Sequence, residues 1–64
     1  MAKYSISEFE EAHRSLGSTL GKCEKAILKL KEGSAQHTLM IRRIKSFQIA
    51  LALIQRELQS ERSG

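Results

Sequence analysis

The apolar positions of this chain form two helical stripes separated by a short polar break. The first runs Ile6, Phe9, His13, Leu16, Leu20, Cys23, Ile27 and Leu30, in alternating steps of 3 and 4 with two semi-polar members. The second runs Met40, Ile44, Phe47, Leu51, Ile54 and Leu58, in steps of 4, 3, 4, 3 and 4. Such spacing keeps one face of an α-helix turned toward a neighbour along its whole length.

The start signals agree with the stripes. Ser5 with Glu8 has the spacing of a capping box, and Tyr4 with Phe9 occupies the two positions of a hydrophobic staple around it. Ser7 with Glu10 offers a second box, and Glu8, Glu10 and Glu11 complement the positive end of the helix dipole. Gly33 is a natural residue to end the first helix, with Lys29 and Lys31 near its negative end, and Ser34 is the natural cap of the next. The pattern therefore predicts helices over about 5–32 and 35–60, with frayed ends at about 1–4 and 61–64, in a single domain spanning 1–64. Gly17 and Gly21 each cost a helix about 1 kcal/mol relative to alanine, but the spacing passes through them without a slip.

A link of about two residues forces the helices antiparallel. With the turn at Gly33 and Ser34, facing residues have numbers summing to 67. Leu30 then meets His37, Ile27 meets Met40, Cys23 meets Ile44, Leu20 meets Phe47, Leu16 meets Leu51, His13 meets Ile54 and Phe9 meets Leu58. Both stripes and the turn converge on one arrangement, an all-α antiparallel two-helix hairpin.

The second helix carries more apolar surface than one seam uses. Ile49 to Ile54 are six apolar residues in a row, roughly 600° of helix without a polar side chain. A helix apolar on several faces expects several neighbours. Leu39, Ile41, Ile49, Ala52 and Leu53 lie outside the seam, and Leu28 is the corresponding outlier on the first helix. Ala12, Thr19 and Ala26, seven apart, make one flank of the first helix narrow enough for close approach. A 64-residue chain with one cysteine has no intrachain disulfide, and no ligand cluster suggests structural zinc. At this size a single core is marginal, so oligomerisation is the expected source of further stability. The expectation is self-association, as a dimer of hairpins forming a four-helix bundle, with Leu39, Ile41, Ile49, Ala52 and Leu53 at the interface. A heteromeric protein partner would leave the same signature.

Charge adds direction. Residues 22–45 hold seven cations against two glutamates, a net of +5, whereas the first 21 hold two cations against three glutamates, a net of −1. The turn end is thus basic and the open end neutral to acidic, which favours an antiparallel pair of hairpins over a parallel one. Lys25, Lys29, Arg42, Arg43 and Lys45 are the candidate contacts to an anion or nucleic-acid phosphate. A tight antiparallel hairpin supplies no helix-turn-helix, and no free aromatic accompanies the cations for base stacking.

The chemistry-bearing residues do not converge. His13, Cys23 and His37 stand ten or more residues apart, so about 15 Å or more separates them along the axis. There is no aspartate, no paired-carboxylate constellation and no phosphate-binding glycine loop. The expected protein is a non-enzyme that needs no cofactor or metal and acts as an interaction, adaptor or regulatory module. The alternative is a basic nucleic-acid-associated accessory protein. MAKYSISEFEE lacks the apolar core of a signal peptide and no run is long enough to span a membrane, so the expected location is cytoplasmic.

Overall fold

The computed structural model of this protein describes residues 4–63, with side chains through 61. The chain is two helices, α1 (Ile6–Ile27) and α2 (Ala35–Ser63), packed against each other. At 1.5 Å per residue, α1 is about 33 Å long and α2 about 43 Å. Laid end to end they would exceed 75 Å or so, yet the longest dimension of the molecule is 46 Å. The seven-residue connection 28–34 is too short to return to the start of α1, so the helices run antiparallel.

The start of α1 is built as its sequence signals. Glu8 N–H donates to Ser5 Oγ at 3.1 Å, and Ser5 N–H donates to Glu8 Oε1 at 2.9 Å, which completes the capping box. The staple is present as an edge-on pair of rings, Tyr4 and Phe9, with centroids 6.2 Å apart. α1 is unbroken through Gly17 and Gly21. At its far end α1 stops at Ile27, about five residues before the expected boundary. Lys29 N–H donates to Ala26 O and Leu30 N–H to Ile27 O, so the last turn tightens into i→i+3 bonds and ends there. Gly33 is left-handed with φ +85°, but as the third residue of a Lys31–Ser34 turn closed by Ser34 N–H to Lys31 O, not as the residue that ends α1. The two-residue link expected from the sequence is thus a seven-residue one. Two packed helix axes lie about 8–10 Å apart, and unwinding the last turn of α1 supplies the chain that crosses this gap.

α2 starts where expected. His37 N–H donates to Ser34 Oγ at 3.1 Å, which makes Ser34 its cap. It continues through Ser63, past the expected end at about 60. Residues 1–3 and 64 of the expected frayed ends lie outside the described residues.

Burial follows the two stripes. Phe9, His13, Leu16, Leu20, Cys23, Ile27 and Leu30 are half-buried, as are His37, Met40, Ile44, Phe47, Leu51 and Ile54, and Leu58 is buried at 5% exposure. The exception is Ile6, which is 39% exposed, so the seam of α1 begins at Phe9. Ile6 is the first residue of its helix, where no preceding turn of α1 helps to cover it.

Gly17 and Gly21 give a direct test of the fold. A Cβ built on either meets nothing within 4 Å. Gly17→Ala and Gly21→Ala should each raise stability by about 0.5–1 kcal/mol through the helix interior alone, read as a higher denaturation midpoint. A loss at either position would mean that another chain occupies that flank.

A candidate interaction surface

Among the described residues the seam gives the two helices partial shelter, and Leu58 alone is buried. The radius of gyration is 14.4 Å, against about 10.7 Å for a compact chain of this length. The surface is 5286 Å², against about 4,100 Å² for a folded monomer of this mass. The difference is roughly 1,200 Å², more than the ~800 Å² that each partner gives to an interface of standard size.

The residues left outside the seam are all exposed: Leu39 and Ile41 at 49%, Ile49 at 52%, Leu53 at 60%, with Ala52 beside them. They are not on one side. An antiparallel hairpin has two open sides, and at about 100° of rotation per residue each flank of a helix belongs to one of them. On the first side lie Ala12, Thr19 and Ala26 of α1 with Leu39, Arg43, Ala50 and Glu57 of α2. On the second lie Gly17 and Gly21 of α1 with Ile41 and Ala52 of α2. Ile49 is on the back of α2, and Leu53 sits between the back and the first side. The two will be called the alanine side and the glycine side.

An apolar groove of about 370 Å³ opens at the open end, lined by Tyr4, Glu8, Phe9, Ala12 and Ile54. Ala12 and Ile54 share it, which places it on the alanine side. Two of its lining residues belong to the start of α1, Glu8 of the capping box and Tyr4 of the staple, whose ring packs edge-on against Phe9. The sequence carried the signals for both motifs but nothing that marked the hollow between them. A shallower depression runs along the outer face of α1, lined by Glu11, Arg14, Ser15, Ser18, Thr19 and Lys22. It is a feature of one helix surface and encloses nothing.

Lys25, Lys29, Arg42, Arg43 and Lys45 are exposed, as are Lys22 and Lys31. Their positions spread them around the turn end: Arg43 is on the alanine side, Lys45 on the other, Arg42 on the back of α2, and Lys29 in the 28–34 connection. The turn end is a cationic tip rather than a cationic face. His13, Cys23 and His37 are half-buried along the seam, and among the described residues no group of three or more His, Cys, Asp or Glu could hold a metal ion. No helix among the described residues is long and apolar enough to cross a membrane. Comparison with protein-family models, with curated proteins and with solved structures returns no match, so the reading of this surface stands on its own chemistry.

Proposed function

We propose that this chain is a non-enzymatic interaction module whose working form is an assembly with itself, a dimer of hairpins forming a four-helix bundle. One observation carries the reading: a two-helix seam with a single buried side chain, Leu58, sits beside exposed leucines, Leu39 and Leu53, that a second hairpin would cover. Each large aliphatic residue fully covered adds about 1.5–3 kcal/mol, and a 64-residue chain without disulfide or metal has few other sources of stability. In this reading the module acts as an adaptor or regulator, presenting the outer faces and charged ends of the bundle to other proteins.

Analytical ultracentrifugation at micromolar concentration tests it. The expected species has twice the 7.2 kDa mass of the chain. A well-folded species of 7.2 kDa would sink the proposal.

The second reading, a nucleic-acid-associated accessory protein, rests on the seven exposed cations of the turn end. Adding a labelled DNA duplex to the same runs distinguishes it. Nucleic-acid binding would appear as a co-sedimenting label, weakened by salt and by reversing Arg42, Arg43 and Lys45. A label that stays free leaves association as the function.

A further inference from the structure

Self-association alone does not say which side a second copy covers or which way it runs. We infer, on the basis of that reading, that a second copy docks antiparallel on the alanine side, α1 against α1 and α2 against α2. Its two-fold axis passes between Thr19 and the Ser46–Ala50 turn.

The area fits. One long side of a rod 46 Å by 17 Å has a footprint of about 780 Å², close to the ~800 Å² per partner of a stable interface.

The charges fit one direction. On this side Glu8 and Glu57 lie toward the open end and Arg43 toward the turn end. An antiparallel copy brings each Arg43 beside the acidic end of the other chain, whereas a parallel copy would gather both basic turn ends at one end of the assembly. The whole ends follow the same rule, +5 over residues 22–45 beside −1 over the first 21.

The shapes fit about the same axis. A two-fold axis that crosses both helices pairs each with its own copy. On α1 the small residues Ala12, Thr19 and Ala26 are centred on Thr19, so Ala12 of one copy meets Ala26 of the other. On α2 the midpoint of Arg43 and Glu57 is residue 50, and that of Leu39 and the groove-lining Ile54 lies between 46 and 47. The groove puts Ile54 level with Phe9 and Ala12, and counting from there in opposite directions along the two helices brings Thr19 level with about residue 46, within about a turn of both midpoints. Ser46, Ala50 and Thr19 surround it, all small enough for the backbones to come close. Leu39, half exposed in the single hairpin, then enters the groove at the open end of the other copy. The flanks of the glycine side carry Glu10, Glu24, Gln48 and Gln55.

Cross-linking in a Cys23→Ser background tests the arrangement. Thr19→Cys places one thiol per chain beside the axis, so mild oxidation should yield a covalent dimer, while Ala52→Cys on the glycine side should not. Arg43→Glu and Glu57→Arg should each weaken association at least about fivefold, counted over two symmetric pairs, and the double swap should restore it to within about twofold. A dimer by sedimentation that links through Ala52→Cys rather than Thr19→Cys, or that the double swap fails to restore, overturns the arrangement and leaves self-association standing. A chain that sediments as a monomer ends both. Circular dichroism of each variant confirms that the hairpin is still folded when the result is read.

Discussion

Phe47→Ala unfolds most of this protein at room temperature. Phe47 is the central aromatic of the α2 stripe and is already half-buried within a single hairpin. Truncating a core phenylalanine removes about 3–5 kcal/mol, and partial cover places this site toward the lower end of that range. At about 0.05–0.15 kcal/mol per residue, a chain of this length has only a few kcal/mol of stability in total. A single truncation therefore takes away most of it, and Leu20→Ala on the facing stripe acts in the same way. The measurement is the far-ultraviolet circular dichroism signal through a thermal melt. Leu28→Ala is the control, because Leu28 is 84% exposed and surface truncations change stability by about 0.5 kcal/mol or less. If Phe47→Ala melts like the parent and Leu28→Ala does not, the seam has been assigned to the wrong residues.

Leu39→Lys with Leu53→Lys separates association from the hairpin fold. Both side chains are about half exposed or more, so neither substitution breaks the seam. Under the proposed assembly each leucine is covered by the second copy, and every substitution acts twice in a two-fold dimer. Losing even half of the 1.5–3 kcal/mol for each buried leucine, four times over, weakens the dimer by at least about a hundredfold. The variant should sediment as a monomer at concentrations where the parent is a dimer. Its helical signal should become concentration-dependent, because the assembly supplies part of the stability of each hairpin. A double variant that sediments and melts as the parent does would remove Leu39 and Leu53 from the interface.

Local instructions were the most legible part of this chain. Ser5 and Glu8 cap α1, Tyr4 and Phe9 staple it, and Ser34 caps α2, each within a few residues of its partner. The seam was also legible, because a helical stripe buried against one neighbour has a spacing of 3 and 4 whatever that neighbour is. The end of α1 was not. The i→i+3 bonds at Lys29 and Leu30 come from how the chain closes the hairpin, and Leu28-Lys29-Leu30-Lys31 contains no residue that stops a helix. Ile6 was misplaced for a similar reason: its spacing matches the stripe, but cover at a helix end depends on what lies beyond it.

By itself, then, the sequence determined two capped helices, the stripe on each, and an apolar surplus on α2, because these are written in residues close together along one helix. Only the tertiary structure decided where the surplus goes. Leu39, Ile41, Ile49, Ala52 and Leu53 read as one group along the chain, yet in the hairpin Leu39 and Ala50 share a side with Ala12, Thr19 and Ala26, while Ile41 and Ala52 face the other way beside Gly17 and Gly21. The groove between Tyr4, Phe9 and Ile54 is a tertiary feature of the same kind. A side of a hairpin is made by two helices running in opposite directions, so membership in it depends on their packing and cannot be counted along either one.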